Sequence, residues 1–279
     1  MANTVPKKRK TNEMDFDQDA FSREGFVIIR DCFDQAAIDG TQGFLDSHQS
    51  SFCQRFHNCA WGYGDVSDNL PGKLVKECEP ITRIAKDLFP EGYDWGHIVV
   101  NEKSAFVGFE VEWHQEMANV NTFAPGNYAE DSNFFVQIFI ALDEQGASNG
   151  GLTLYPRSHS LGLLDHIDIL SPALTHKRSL TLGSLELIDD HCDAFIPNLR
   201  SGDCIIFNSL LVHSSVRNNS GRRRRSVICQ IRSANRNEFD RDIFEKEREH
   251  RTSFITKILT SVIAQNNHTD RYLDITKTK

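Results

Sequence analysis

The sequence predicts a mainly β protein with flanking helices, arranged as a double-sheet jelly roll. Helical patterns come first, over residues 15–23, 34–47 and 80–89. From residue 97 the apolar pattern changes to short strands that are separated by long polar segments. Two of these strands, 134–142 and 151–155, are joined by a turn that is too short for a crossover helix. A parallel doubly wound sheet is therefore disfavoured, and an antiparallel double sheet fits the pattern.

The helical elements have recognisable ends. Asp34 is a good N-cap for a helix that runs through about Ser47. A second helix covers residues 80–89 and is ended by Pro90. Between them, residues 48–79 are irregular in pattern, and we expect long loops there, near the rim of a site.

The strands follow one another through the second part of the chain. We expect them at residues 25–30, 97–103, 109–113, 134–142, 151–155, 204–213 and 222–232. The strand 134–142 is almost continuously apolar, which is typical of a strand covered on both faces. Gln137 interrupts it, and this amide either lines a pocket or satisfies a neighbouring loop. Residues 119–132 form a loop after the metal-binding candidates, either a substrate lid or an ordinary connection.

The length of 279 residues fits one domain with insertions. We expect a disordered basic tail over residues 1–14, a single jelly-roll domain over 15–265 that ends in an outer helix at 238–264, and a polar tail over 266–279. The basic run Lys7–Lys10 is either a nuclear-import signal or a solvated terminus. Residues 165–195 form an extra segment in which no chemistry is apparent.

Composition narrows the functional class. The net charge is −8, so a nucleic-acid partner is not expected. The seven cysteines are odd in number and form no C-x-x-C pair, which favours a reducing compartment over a disulfide framework or a structural zinc site. There is no apolar run of membrane-spanning length and no signal peptide, so we expect a cytoplasmic protein with no membrane partner. The oligomeric state stays open.

Three residues form a candidate metal site. His114 and Glu116 are two positions apart, and on a strand their side chains lie on one face. His213 ends a long apolar run about a hundred residues later. Two histidines and one carboxylate form the facial triad of non-haem Fe(II) oxygenases, which leaves coordination positions open.

Four successive arginines follow this second histidine. On a strand, Arg222 and Arg224 face one way, and Arg223 and Arg225 face the other. An inward-facing arginine needs an anion, since an unpaired buried charge is costly. A dicarboxylate cosubstrate would supply that anion.

Four stretches of the chain together resemble the phytanoyl-CoA dioxygenase family of Fe(II)/2-oxoglutarate-dependent oxygenases. They are residues 21–30, Trp113-His-Gln-Glu116, residues 140–159 with Asn149-Gly-Gly and Pro156-Arg-Ser-His159, and His213-Ser-Ser with an arginine eleven residues after the histidine. The resemblance implies a double-stranded β-helix of the cupin-like type. It also implies a dioxygenase that hydroxylates or otherwise oxidises an unactivated C–H of a small organic molecule and releases succinate and CO2.

The resemblance also assigns roles to individual residues. It implies that Fe(2+) is bound by His114, Glu116 and His213, and that O2 and 2-oxoglutarate are the further reactants. Arg224 would hold the distal carboxylate of 2-oxoglutarate, with Ser215, Asn101, Lys103 and Thr153 as further cosubstrate-pocket residues. Trp113, Met117 and Gln137 are expected to contact the substrate, and core packing is the alternative for Trp113 and Met117.

Two departures from the family pattern matter. Glu116 replaces the usual aspartate, which moves the carboxylate by about one C–C bond, roughly 1.5 Å. Arg157 replaces a turn glycine, which disfavours a positive φ at this position. Three other functions therefore stay open: a cupin-like metalloenzyme of the isomerase type, a catalytically inactive binding scaffold, and a nucleic-acid or chromatin modifier that uses the basic runs.

Overall fold

The computed structural model describes residues 16–48, 53–56, 59–63, 66–106, 108, 110–118, 135–169 and 178–234. The predicted basic tail, the loop 119–132, the outer helix 238–264 and the polar C-terminal tail lie outside the described residues. None of the helices within the described ranges is long and apolar enough to cross a membrane.

The described residues form five α-helices and twelve strands. The helices are α1 Gln18–Glu24, α2 Gln35–Ser47, α3 Leu70–Lys76, α4 Glu79–Leu88 and α5 Leu182–Asp189. The first strands are β1 Phe26–Ile29, β2 Cys53–Phe56, β3 Cys59–Tyr63, β4 Tyr93–Lys103, β5 Val111–His114 and β6 Phe135–Ala141. The later strands are β7 Leu152–Leu154, β8 His166–Asp168, β9 Arg178–Leu180, β10 Cys204–Asn208, β11 His213–Ser215 and β12 Arg224–Ser233. A short 3-10 helix covers Ser158–Leu161.

These strands build two facing sheets and a small hairpin. The large sheet has the order β1-β10-β6-β12-β4-β3-β2, and the small sheet has the order β5-β11-β7. Strands β8 and β9 pair as a separate hairpin. Every pairing between these strands is antiparallel. The predicted jelly roll is therefore confirmed.

The large sheet is buried on both faces. Alternate residues of β6, Val136, Ile138 and Ile140, pack with the helices in one core cluster. Phe139 and Ala141 point the other way and pack against Leu152 and Leu154 of the small sheet in a second cluster. This two-sided burial explains why the sequence of β6 is apolar almost throughout.

The prediction of loops over residues 48–79 is wrong. This stretch contains the hairpin β2–β3 and the helix α3. Helix α3 carries Pro71 in its first turn, where a proline is tolerated because the first N–H groups of a helix have no intrahelical partner. The proline therefore marks the start of a helix here and does not mark a loop.

The predicted alternation of the four arginines is also wrong. Strand β12 begins only at Arg224, so the two-residue period does not extend to Arg222 and Arg223. Arg224 and Arg225 are both buried, at 2% and 3% exposure, on opposite faces of β12. Arg225 pairs with Asp143 at 3.0 Å and with Asp46 of helix α2 at 3.3 Å. One of the two buried arginines therefore has a structural role, in which it anchors α2 to the sheet.

Arg157 occupies the left-handed conformation that its sequence disfavours. Its φ is 69°, and the N–H of Ser158 donates to the carbonyl of Tyr155 at 3.2 Å. Positive φ at the third position, after Pro156, is the pattern of a type II turn, which usually has glycine there. The positive φ that the arginine was expected to disfavour is therefore present. The turn is kept because Ser158 and the backbone of Tyr155 both bond to Val212.

Arg157→Gly is expected to raise the free energy of unfolding by about 0.5–1 kcal/mol, since relief of the left-handed strain exceeds the backbone entropy of glycine. Arg157→Ala is the matched control, because it removes the same exposed side chain and keeps the strain. Urea unfolding of both variants measures the difference. A glycine variant that is less stable than the alanine variant would contradict this account.

Candidate metal centre

The two histidines of the predicted triad meet across a strand pair. His114 is the last residue of β5, and His213 is the first residue of β11. They are direct partners in the antiparallel register, so their side chains leave the small sheet on the same face. Their ring centroids are 4.1 Å apart. One pair of antiparallel strands therefore brings together His114 and His213, which are about a hundred residues apart in the sequence.

Glu116 reaches the histidines from a turn. The prediction placed it on the same strand as His114, but β5 ends at His114 and the chain then turns, with the N–H of Ala118 donating to the carbonyl of Gln115 at 3.1 Å. Glu116 Oε1 nevertheless lies 3.8 Å from His114 Nε2 and 3.5 Å from His213 Nε2. The three ligand atoms lie within 4.8 Å of one another.

His213 is likewise positioned by a turn. The prediction of one strand from Cys204 to His213 is wrong, because β10 ends at Asn208 and β11 belongs to the other sheet. The side-chain oxygen of Asn208 accepts a hydrogen bond from the N–H of Leu210 at 2.8 Å. This local bond competes with strand pairing at the end of β10, and the chain passes here from the large sheet to the small sheet.

Hydrogen bonds leave the outer nitrogen of each ring available as a ligand. His114 Nδ1 lies 2.8 Å from the carbonyl of Glu112, and His213 Nδ1 lies 2.9 Å from the carbonyl of Leu211. Because a carbonyl only accepts, each Nδ1 carries the proton and each Nε2 keeps its lone pair. Backbone partners of this kind are common behind metal-binding histidines.

The distances from the Glu116 carboxylate to the two imidazoles fit one ion. Two ligands that each lie about 2.1 Å from a common ion are at most about 4.2 Å apart. Both distances from Glu116 Oε1 to a histidine nitrogen fall below this limit. A set of two imidazoles and one carboxylate also matches the preference of Fe(II) in non-haem oxygenases.

The protonation states also suit metal binding. Burial alone raises the pKa of the Glu116 carboxyl, but its interactions with the His114 and His213 rings outweigh burial and hold this pKa well below its usual value. Burial, together with the nearby His114, lowers the pKa of His213. An ionised carboxylate and a neutral imidazole are the forms that coordinate a metal.

One turn holds both ligand-bearing segments. Three successive carbonyls of this turn, those of Ser209, Leu210 and Leu211, each accept one hydrogen bond. The donors are Met117 N at 3.0 Å, Gln115 Nε2 at 2.6 Å and His213 Nδ1 at 2.9 Å. No role was predicted for Gln115 from the sequence. Its position between the candidate ligands His114 and Glu116 was the only sequence feature that could have indicated a role. The structure shows that its fully buried amide joins the two ligand-bearing segments.

Arg224 is a second candidate functional residue on the large sheet. Its guanidinium donates to the carbonyl of Gly150, with Nε at 3.0 Å, and to the hydroxyl of Ser226 at 3.1 Å. Its Cζ lies 5.6 Å from the centre of the Phe139 ring. Burial lowers the pKa of Arg224 to about 10, so the group stays charged at neutral pH.

Lys103 lies beside Arg224 as its direct partner across β4 and β12. It is 7% exposed, and Nζ donates to the carbonyls of Ser215 at 3.1 Å and Val216 at 2.6 Å. Burial, strengthened by the positive charge of Arg224, lowers the pKa of Lys103 to about 6. Asn218, fully buried, donates to the Lys103 carbonyl at 3.0 Å and keeps this end of β4 in place.

This pair of basic groups fits an anionic cosubstrate. Within the described part of the chain, neither Lys103 nor Arg224 forms an ion pair with a carboxylate. Asn101 lies next to them, opposite Ser226, and its buried Oδ1 has no hydrogen-bond partner among the described residues. A buried basic pair without an acid, next to unused polar groups, suits a dicarboxylate such as 2-oxoglutarate.

The remaining predicted cosubstrate residues lie on the small sheet. Ser215 is paired with Leu152 and has its carbonyl bonded to Lys103. Thr153 alternates with the two inward-facing leucines of β7, so its side chain lies on the opposite face. Its buried hydroxyl has no partner among the described residues.

The three predicted substrate contacts lie in different surroundings. Gln137 is 6% exposed, and its Cα is paired with Phe207, whose ring lies 4.7 Å from that of His213. Met117 is fully buried in the turn after β5. Trp113 lies on the face of β5 opposite His114 and packs against Tyr155, with the ring centroids 4.4 Å apart and the planes tilted by 37°, in a cluster with α5. Core packing is therefore the role that the structure supports for Trp113.

Comparisons with known structures find the same architecture. EctD from S. alaskensis, in a crystal structure with 2-oxoglutarate and 5-hydroxyectoine, has a TM-score of 0.61 and 17% identity over 77% of this chain and 74% of that chain. SnoN, a non-heme alpha-ketoglutarate-dependent epimerase from nogalamycin biosynthesis, has a TM-score of 0.57 and 17% identity over 77% and 81%. AviO1 from Streptomyces viridochromogenes Tue57 has a TM-score of 0.57 and 17% identity over 78% and 94%. At these identities the likeness shows the fold.

The sequence comparison identifies the family. A search of curated protein sequences found no significant match. The sequence profile of the phytanoyl-CoA dioxygenase (PhyH) family matches residues 21–226, which is most of the chain and includes all three candidate ligands and Arg224. The chain therefore belongs to the phytanoyl-CoA dioxygenase family, the 2-oxoglutarate-dependent non-haem iron dioxygenases.

Proposed function

We propose that this chain is an active dioxygenase that hydroxylates, or otherwise oxidises, an unactivated C–H of a small organic molecule with release of succinate and CO2. One observation carries the proposal. The two imidazole Nε2 atoms converge on Glu116, and each ring is oriented by a backbone carbonyl. This arrangement is a prepared facial triad, and an inactive scaffold has no need of one.

Each group of residues has a distinct task. His114, Glu116 and His213 hold Fe(II), and Arg224 holds the distal carboxylate of 2-oxoglutarate. Lys103 supplies a second positive charge at the same end when binding of the carboxylate favours its protonated form, and Ser215 and Asn101 border this position. When bound, the iron and 2-oxoglutarate supply the activation of O2, in which the cosubstrate is converted to succinate and CO2.

The protein also keeps the site dry. His114 and His213 are 6% and 4% exposed, and the ring of Phe207 packs against His213. Phe139 shields the guanidinium of Arg224 on one side. An apolar wall of this kind strengthens the attraction between a buried cation and a carboxylate, and it excludes water from the reacting groups.

Gln137 is the best-supported substrate contact. Its buried Oε1 has no hydrogen-bond partner among the described residues, and β6 presents it on the side of the sheet that faces the triad. A buried amide without a partner is costly, so a polar group of the substrate is expected to satisfy it. A small molecule with a hydrogen-bonding group near the oxidised carbon would fit.

An anaerobic titration with Fe(II) and 2-oxoglutarate tests the proposal. We expect the visible charge-transfer band of the iron chelate in the wild-type protein and its loss in His213→Ala. In Arg224→Ala we expect the band to require about 100-fold more 2-oxoglutarate, since a charge-assisted pair is lost. Succinate release in the presence of O2 then reports turnover.

Two outcomes would point elsewhere. Wild-type protein that binds Fe(II) but shows no band with 2-oxoglutarate would contradict the proposal and favour an isomerase-type metalloenzyme. Protein that binds neither would favour an inactive scaffold. The epimerase activity of SnoN shows that this fold is compatible with a reaction outcome other than hydroxylation. Product analysis by mass spectrometry distinguishes a gain of oxygen from a change of stereochemistry.

A further inference from the structure

His166 lies outside the triad, at the start of β8, but its ring is bonded to the segment between two ligands. Its Nε2 accepts a hydrogen bond from the backbone N–H of Gln115 at 3.1 Å. Its Nδ1 donates to the carbonyl of Leu164 at 2.8 Å, which fixes the ring and leaves the Nε2 lone pair free. The N–H that it accepts belongs to the peptide unit that joins His114 to Gln115.

The segment that leads into β8 also holds the side chain of Gln115. The amide Nε2 donates to the carbonyl of Gly162 at 2.8 Å, and Oε1 accepts from the N–H of Leu164 at 2.8 Å. Three alternate positions, Gly162, Leu164 and His166, therefore bind one residue. This makes the start of the extra segment 165–195 part of the support behind the metal ligands.

The peptide on the far side of Glu116 is fixed as well. The N–H of Met117 donates to the carbonyl of Ser209 at 3.0 Å. With Gln115 held on one side and Met117 on the other, the backbone around Glu116 has little freedom, and mainly its side-chain torsions remain. A glutamate has one torsion more than an aspartate, so a fixed backbone limits the entropy that metal binding costs here.

We propose that His166 is a positioning residue of the metal centre, which fixes the peptide between the two ligands and thereby the direction of the Glu116 side chain. The inference rests on the proposed function, since it takes His114, Glu116 and His213 as the ligands. Loss of an outer partner of this kind typically costs 10- to 100-fold in metal affinity.

Two substitutions of similar polarity separate this role from general stability. In His166→Gln, the side-chain oxygen reaches the position of Nε2 and can accept from Gln115. In His166→Asn, the shorter amide reaches only the position of Nδ1, so it keeps a donor for Leu164 and loses the acceptor. His191→Asn is the control, since that ring bonds to the Leu187 carbonyl one turn earlier in the chain.

The measurement is anaerobic titration of the metal-free, full-length protein with Co(II), followed by its d–d absorption, with thermal unfolding of the same metal-free samples. We expect His166→Asn to bind Co(II) about 10- to 100-fold more weakly than the wild type, with an altered absorption spectrum. We expect His166→Gln to stay within about threefold of the wild type. Both variants should unfold at similar temperatures.

The outcomes separate the two proposals. Wild-type affinity in His166→Asn, or equal weakening in both variants, would overturn the positioning role and leave the proposed function standing. Absence of Co(II) binding by the wild-type protein would overturn the proposed function and the inference with it. Rescue by glutamine together with weakening by asparagine supports the positioning role, since a merely structural role would not distinguish the two amides.

Discussion

Glu116→Asp weakens metal binding about 10- to 100-fold, in our expectation, although it restores the residue that is usual in the family. Glu116 Oε1 lies 3.5 and 3.8 Å from the two histidine nitrogens. Shortening the side chain by one C–C bond, roughly 1.5 Å, takes the carboxylate beyond the distance that a single ion spans. The backbone cannot follow, because Gln115 and Met117 are both held by hydrogen bonds.

Isothermal titration with Co(II), and with Fe(II) under anaerobic conditions, measures this effect. Glu116→Gln provides the limiting case, since it keeps the length of the side chain and removes the charge, and we expect it to bind at least about 100-fold more weakly. Glu110→Asp is the matched control, because it makes the same chemical change at an exposed position of the same region. Wild-type or tighter metal affinity in Glu116→Asp would show that the turn adapts to the shorter residue.

The position of Glu116 explains how the chain accommodates the longer residue. On a regular strand, a glutamate at this position would extend past the histidines. The chain instead leaves β5 after His114 and places Glu116 one residue into a turn, so the carboxylate approaches from further away. The departure from aspartate and the early end of the strand are two parts of one arrangement.

Sequence patterns predicted what depends on local periodicity. The apolar run of β6 and the short turn between the strands predicted at 134–142 and 151–155 indicated the antiparallel double sheet, and the residue types suggested the triad and Arg224. The turn before His213, which depends on the local bond between the Leu210 N–H and the Asn208 side chain, was missed inside an apolar run. The turn after His114 was missed because it depends on bonds between distant segments, such as Met117 to Ser209. No local sequence pattern indicates a hydrogen bond between such distant segments.

The arginine run shows the same limit at one strand end. The two-residue period was applied to Arg222 and Arg223, but β12 starts after them. The start of β12 is set by the loop around Asn218, whose side chain donates to the Arg222 carbonyl at 2.8 Å and to the Lys103 carbonyl at 3.0 Å. A tertiary contact of one buried amide therefore decides which arginines are buried.

Lys103→Met is expected to stabilise the ligand-free protein and to weaken the binding of 2-oxoglutarate. The folded protein holds the pKa of Lys103 near 6, against an ordinary value of 10.5. Between these pH values the unfolded chain binds more protons at this site, so this lysine costs stability, and the cost falls as the pH rises. Part of the gain on removing it is offset, because the Ser215 and Val216 carbonyls lose a donor. A net gain of about 1–2 kcal/mol at pH 7 remains.

The same substitution is expected to lower the affinity for 2-oxoglutarate. A carboxylate near Arg224 favours the charged form of Lys103, so binding at pH 7 to 8 takes up a proton. The affinity of the wild-type protein should then fall as the pH rises above 6, by up to about tenfold per pH unit. In Lys103→Met the affinity should be about 10- to 100-fold lower near pH 6 and nearly independent of pH.

Calorimetric titration with 2-oxoglutarate on the metal-loaded, anaerobic protein, in buffers of different ionisation enthalpy, counts the protons taken up. Lys86→Met is the control, since Lys86 is exposed on α4 and its removal should change neither stability nor proton uptake. Proton uptake that persists in Lys103→Met would assign it to another group. If proton uptake is lost and the ligand-free protein becomes more stable, Lys103 is a residue that destabilises the ligand-free protein and strengthens the binding of the dicarboxylate.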